Sequence, residues 1–257
     1  MKRKSAVIMM MAVAMLLFVE GCGKKSGTDT SEKNATQGLL YEPNNGSYVV
    51  KGYEGSEVNV IIPDTCNDVP VTEINRKVFE NSDIQSIVIG KNVTKINHDA
   101  FNNCSLLKKV TLPDSLVTLS GFEDCISLEE IKIPASVENI GDSAFEGCSG
   151  LKKVDFSSNA ALTGIGDDAF RGCTSLEGLE IPDTVTRIGT KPFAEMTSSQ
   201  TVTFLGNTDD VKRVTVFGIE MPEMTITTTD ENGNVTTSSS VSSKWWEEGS
   251  EANFVYK

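Results

Sequence analysis

Leu128-Glu-Glu-Ile131-Lys-Ile133-Pro134-Ala-Ser-Val137-Glu-Asn-Ile140-Gly-Asp-Ser-Ala144-Phe145-Glu-Gly-Cys148-Ser-Gly, followed at once by Leu151, is one statement of a phrase that this chain repeats. Its phenylalanine recurs at Phe79, Phe101, Phe122, Phe145, Phe170 and Phe193, at intervals of 22, 21, 23, 25 and 23 residues. Self-similarity at such a period marks a chain of stacked coils rather than a single globular unit. No one coil can bury its apolar face alone, whereas neighbouring coils can cover one another in a continuous core.

Within a copy the pattern is Leu-x-x-(Val/Ile/Leu)-x-(Ile/Leu/Phe)-Pro-x-x-(Val/Leu)-x-x-(Ile/Leu)-x-x-x-(Ala/Gly)-Phe-x-x-Cys-x-x-Leu. The first part alternates, as in Leu107-Lys-Lys-Val110-Thr-Leu112, which predicts a half-buried strand. Pro63, Pro113, Pro134 and Pro182 follow that strand and should end it, because proline has no N–H for a ladder. A second short apolar segment follows, as in Val93-Thr-Lys-Ile96, and then a tight turn carries the Phe inward. The expected fold is mainly β: a solenoid of about six coils of 21–25 residues over residues 39–205, with stacked short parallel strands. At about 4.8 Å per rung it makes a short rod or shallow arc roughly 25–30 Å long.

Cys104, Cys125, Cys148 and Cys173 each lie three residues after the repeat Phe, so they should form an inward column. Burial as free thiols, acting as small apolar groups, fits that position. Disulfides between adjacent rungs are not excluded by distance, so the redox state of these four and of Cys66 is left open. Zinc ligation is disfavoured because no Cys-x-x-Cys pair occurs.

The ends of the chain differ from the repeat. Residues 1–21 read as a signal peptide: Lys2-Arg3-Lys4 leads an apolar run from Ala6 to Val19, too short for a comfortable membrane span. Gly21-Cys22 looks like a bacterial lipobox, with Cys22 as the lipidated residue, although Glu20 departs from the small or apolar residue usual there. A diacylglycerol on Cys22 would supply the two acyl chains that stable anchoring needs. Residues 22–38 are small and polar, as a flexible tether would be. Beyond residue 205 the phrase fades. Thr-rich runs flank Asp230-Glu-Asn232-Gly233-Asn234, where Asn-Gly predicts a hairpin turn, and residues 206–257 are assigned to a C-terminal hairpin and cap. Met196 in place of Cys and Ser82 at the same frame mark the atypical terminal copies that a solenoid requires.

The motif Ile133-Pro-x-x-Val137-x-x-Ile140-Gly-x-x-Ala144-Phe145-x-x-Cys148-x-x-Leu151 resembles the BspA-like leucine-rich repeats of bacterial surface proteins. The resemblance covers about residues 39–205, including Tyr41-x-x-x-x-Gly46-x-Tyr48, Gly52-Tyr53 and Val60-Ile-Ile-Pro63. It implies surface display and adhesion or ligand capture, and it brings no catalytic residues with it.

Lysine and arginine number 23 against 36 aspartate and glutamate, and removing residues 1–21 leaves 20 against 35. That acidity argues against nucleic acid and against an anionic lipid surface as targets. His98 is the single histidine and falls at a variable turn position, so Ser-His-Asp or Cys-His catalysis has nothing to build on. No catalytic residue, metal ligand or cofactor is assigned, and the chain is not expected to be an enzyme. Two regions remain for function. One is the outward strand columns, with Lys109, Thr111, Glu130, Lys132, Lys153, Asp155 and Glu180 as the candidate binding face. The other is the pair Trp245-Trp246, since aromatic pairs stack on sugars and anchor interfaces. The expected function is a lipid-anchored, surface-exposed, extracytoplasmic binding or adhesion protein for a protein or glycan partner, with the membrane met only through the anchor. The alternatives are an assembly scaffold of the cell envelope and an extracytoplasmic hydrolase. Oligomeric state is not legible.

Overall fold

The structure, a computed structural model, describes residues 35–156 and 161–205 with their side chains, and strands at Lys212–Arg213, Thr225–Thr229, Val235–Ser239 and Asn253–Tyr256. The described residues contain no helix and build a β-solenoid of about seven turns. Cys22 and Trp245-Trp246 lie outside the described residues.

Two parallel sheets run along the coils. The front sheet is made from the alternating segments: Asn59–Ile61, Ser86–Val88, Lys109–Thr111, Glu130–Ile133, Lys153–Phe156, Leu179–Ile181 and Thr201–Phe204. The back sheet uses shorter pieces: Val69–Ile74, Lys95–Ile96, Thr118–Leu119, Asn139–Ile140, Gly164–Ile165, Arg187–Ile188 and Lys212–Arg213. Its first edge is an antiparallel hairpin of Leu39–Asn44 with Ser47–Tyr53, turned at Asn45 and Gly46, both with positive φ. Proline acts as expected. The strands Lys109–Thr111, Glu130–Ile133 and Leu179–Ile181 stop before Pro113, Pro134 and Pro182, whose carbonyls accept from the N–H of Leu116, Val137 and Val185 to close a turn.

The repeat Phe side chains stack in one file. From Phe79 to Phe193 consecutive ring centroids are 5.1, 4.8, 5.8, 5.4 and 6.2 Å apart, with interplanar angles of 2° to 13°. Each ring is buried, and burying a side chain of that size contributes about 1.5–3 kcal/mol. The backbone around each Phe is unusual. The second residue after it has positive φ in every copy: Asn81, Asn103, Asp124, Gly147, Gly172 and Glu195. That left-handed residue turns its N–H onto the next coil, as Asn103 does onto the Glu123 carbonyl and Gly147 onto the Arg171 carbonyl. Asn, Asp and Gly tolerate the conformation best, which explains much of what occupies the site.

Cys66, Cys104, Cys125, Cys148 and Cys173 are free and buried. They are more than small apolar groups. Cys104, Cys125, Cys148 and Cys173 each aim Sγ at the Phe carbonyl of the preceding coil (Phe79, Phe101, Phe122 and Phe145), at 2.9, 3.4, 2.9 and 3.1 Å. At the C-terminal end, where Met196 has no such donor, buried Gln200 donates to the carbonyls of Cys173 and Leu176 and closes the column. Thr225–Thr229 pairs antiparallel with Val235–Ser239, the hairpin expected around Asn232-Gly233. Asn253–Tyr256 returns to pair in parallel with Thr201–Phe204, so the tail does extend the front sheet.

Candidate binding face on the front sheet

The front sheet is not continuous. Its strands pair as three pieces: Asn59–Ile61 with Ser86–Val88 and Lys109–Thr111; Glu130–Ile133 with Lys153–Phe156; and Leu179–Ile181 with Thr201–Phe204 and Asn253–Tyr256. The first break lies between Lys109–Thr111 and Glu130–Ile133. A shallow cleft of about 400 Å³ opens there, lined by Lys108, Lys109, Val110, Thr111, Glu130, Ile131, Lys132, Lys153 and Asp155.

The cause is visible in the backbone of that coil. In the other copies the Phe comes five positions after the back-strand Ile, as from Ile140 to Phe145, but Phe122 comes only three positions after Leu119. The shortened turn is made by Gly121 at φ +88°, where an added Cβ would meet the Asn97 carbonyl. Across the core, the same coil has the closest ring contact, Phe101 to Phe122 at 4.8 Å. The solenoid is thus tightest on its Phe side where its front ladder opens. Val110 accordingly remains half-buried, while its counterparts Ile87 and Ile131 are buried.

Six of the seven side chains chosen from the strand pattern, Lys109, Thr111, Glu130, Lys132, Lys153 and Asp155, line this one cleft, and all six are exposed. Glu180 is exposed too, but it stands on the third piece of the sheet and takes no part. Lys108 was not legible from alternation, because it precedes the strand proper; the 21-residue interval was the available signal. The charges in the cleft are uncommitted. Among the described residues, Lys108, Lys109, Glu130, Lys132, Lys153 and Asp155 make no side-chain hydrogen bond or ion pair. Elsewhere such pairs are common: Lys152 with Glu129 at 2.8 Å, Lys91 with Asp64 at 2.7 Å and Arg171 with Glu195 at 2.7 Å.

The chemistry outside the cleft is structural. His98 is exposed and meets Asp99 at 3.3 Å. Asp99 also receives Arg76 and shares a hydrogen bond with Glu123 of the next coil. Burial raises the Glu123 carboxyl to about 7, and the hydrogen bond with Asp99 and the charges of Asp99, Glu146 and Asp124 act in the same direction. Asp99 goes the other way: burial opposes it, but the hydrogen bonds from Glu123 and Arg76 and the nearby His98 hold it below the usual carboxylate value. The two therefore share a proton that bridges adjacent coils, and Asn102 donates to the outer Glu123 oxygen at 2.8 Å. Burial pushes the Cys148 thiol up to about 12 and those of Cys125 and Cys173 well above their ordinary value, so these sulfurs are not nucleophiles. Among the described residues no group of His, Cys, Asp and Glu has the arrangement to hold a metal ion, and no helix is long and apolar enough to cross a membrane.

The BspA type leucine rich repeat profile matches the chain in six copies, over residues 72–198 and 120–235. No curated protein matches the sequence. Among solved structures, the chain is similar to a leucine rich cell surface protein from Faecalibacterium prausnitzii A2-165, at 24% identity and a TM-score of 0.49, over 83% of this chain and 60% of that one. It is similar to the pneumococcal vaccine antigen PcpA at 26% identity and a TM-score of 0.55, over 68% of this chain and 50% of that one. A leucine-rich repeat protein from Bacteroides capillosus matches at 29% identity and a TM-score of 0.44, over 47% of this chain and 95% of that one. The chain thus spans 60% and half of the lengths of the first two proteins.

Proposed function

Because the chain belongs to the BspA-type leucine-rich repeat family, we propose that it is a surface-displayed binding protein, held to the cell membrane by a lipid on Cys22, whose front sheet captures a macromolecular partner. The observation that carries this reading is the cleft at the front-sheet break: six charged side chains line it and, among the described residues, make no hydrogen bond or ion pair. An ordinary solvated sheet face would be expected to pair such charges across its strands. Extended sheet faces are also where solenoids engage partners. The basic, apolar leader ahead of Cys22 supports this location.

Display and binding are tested separately. Cys22→Ala should release the protein from the membrane fraction, and retention of that variant in membranes would remove the lipid anchor. An array of host matrix proteins, glycans and extracts of the producing cell's own envelope, probed with the full chain, should give a specific signal that falls with Lys109→Glu/Lys153→Glu. A signal confined to the cell's own envelope proteins would favour an assembly scaffold. A signal lost only with Trp245→Ala/Trp246→Ala would move the contact to the C-terminal segment.

A further inference from the structure

The charges in the cleft are ordered as well as unpaired. Down one outward column Lys109, Glu130 and Lys153 follow each other, with Glu130 in register with Lys153. Down the other, Thr111, Lys132 and Asp155 follow, with Lys132 in register with Asp155. Lys108 adds a fourth ammonium at the rim. The cleft therefore carries four positive and two negative groups on a chain whose formal net charge is −13. Its floor is apolar, formed by half-buried Val110 and by Ile131, and exposed Val88 continues it one rung away, in register with Thr111.

We infer that this cleft docks an extended peptide segment of a partner protein in which two carboxylate side chains flank a basic one. The inference rests on the surface-binding role proposed above and gives its ligand a chemistry. A ligand of uniform negative charge gains from the lysines but must place charge against Glu130, which stands between Lys109 and Lys153, and against Asp155. A ligand of uniform positive charge meets four ammoniums. Like charges brought together at an interface cost affinity and are how surfaces reject wrong partners. A neutral glycan would want an aromatic platform, and among the described residues no aromatic side chain lines the cleft. A polypeptide can alternate charge sign at side-chain spacing and lay small apolar groups on Val110.

The test is calorimetric titration of the full chain in detergent with three probes. These are a peptide of glutamate, serine, lysine, serine and glutamate; its charge-reversed partner of lysine, serine, glutamate, serine and lysine; and heparin as a uniform polyanion. The first peptide should bind about tenfold more tightly than the second, with a salt dependence that heparin exceeds. Lys109→Glu/Lys153→Glu should weaken the first peptide about tenfold, and Glu130→Lys should shift preference towards a peptide with glutamate at all three charged positions. These side chains are exposed, so an unchanged unfolding midpoint will separate lost binding from lost fold. Equal binding of the two peptides, or heparin binding that outcompetes the first peptide and ignores Glu130→Lys, would overturn the proposal. If both peptides fail while the array described above still yields a ligand indifferent to Lys109→Glu/Lys153→Glu, the cleft is overturned and surface binding stands. An array with no ligand at all removes both.

Discussion

The two sheets of this solenoid are built from the same repeat, yet the back one runs unbroken and the front one is in three pieces. The back has the shorter strands, mostly of two residues, so strand length does not explain its continuity. What lies beside it does. The Phe file, the Ala or Gly before it, the left-handed residue after it and the Cys thiol all add coil-to-coil contacts on that side. The front adds to its ladder only scattered side-chain contacts, such as Ser86 to Asn59 and Lys152 to Glu129. Irregular coil length is therefore absorbed at the front: the breaks fall at the intervals of 21 and 25 residues, Lys109 to Glu130 and Lys153 to Gly178. The longer first interval, Asn59 to Ser86, keeps its pairing because Thr65–Cys66 and Val69–Ile74 take up the extra length in an antiparallel excursion. In this repeat, the side with redundant interactions sets the rise, and the other side is free to vary.

If that division is right, the sharpest way to break it is a large-to-small change on each side. Phe145→Ala removes a ring stacked at 5.8 and 5.4 Å on its two neighbours and should cost about 3–5 kcal/mol in denaturant unfolding. Val110→Ala, on the floor of the open cleft, should cost about 1 kcal/mol, because that side chain is already half-exposed. Comparable costs would mean that the front ladder carries as much of the fold as the Phe file.

A smaller effect should come from the thiol column. Cys148→Ala deletes the donor to the Phe122 carbonyl at 2.9 Å and leaves a small void, at about 1–2 kcal/mol. The intact thiol, raised to about 12 by burial, should resist alkylation at pH 8 until the chain unfolds. Labelling of the native protein at the rate of a free thiol would show that the back of the solenoid opens locally.

Most of the fold was legible because stacking imposes one period on many positions at once. The Phe, Cys and Leu columns, the strand and its terminating proline are each the same residue type at the same frame, and the structure places them as expected. Less legible was anything set by departure from the period. The two residues missing before Phe122 could be counted, but their consequence, an open ladder on the opposite face, needs the geometry. Asn45-Gly46 is a strong hairpin signal, yet the frame drew it into the repeat rather than into an edge hairpin. The hydrogen bonds of the thiols were hidden for a different reason: position fixes burial, not what a donor finds there. Of the candidate face, alternation picked out the outward columns, while the cleft that six of those side chains line, and the bonding partners of its charges, came only with coordinates.

The smallest predicted effect tests whether the shortened coil is held by a special contact of its own. Glu123 follows the truncated turn and shares a proton with Asp99 one coil away. Its carboxyl rises from 4.5 to about 7 in the folded chain, so between those values the native state holds a proton that the unfolded state has released. Stability from this group is therefore full below pH 4.5 and is lost as pH rises towards 7. Asp99, held low, works in the opposite sense and loses its contribution as pH falls below 3.8. The pair should thus favour mildly acid conditions. A dry site with that shift would contribute about 3 kcal/mol, and solvent screening of this half-buried group brings it to about 1 kcal/mol. Glu123→Gln, neutral at every pH, should flatten the decline between pH 4.5 and 8 and make the variant the more stable form at pH 8. Glu146, Asp124, His98 and Arg76 stand nearby and are unchanged in that comparison, so above pH 4.5 the difference between the two curves reports the loss of the Glu123 carboxyl. An unaltered slope in the variant would mean that the shortened turn is held by Gly121 and the Phe101–Phe122 contact alone, with the acid pair a passenger on the same coil.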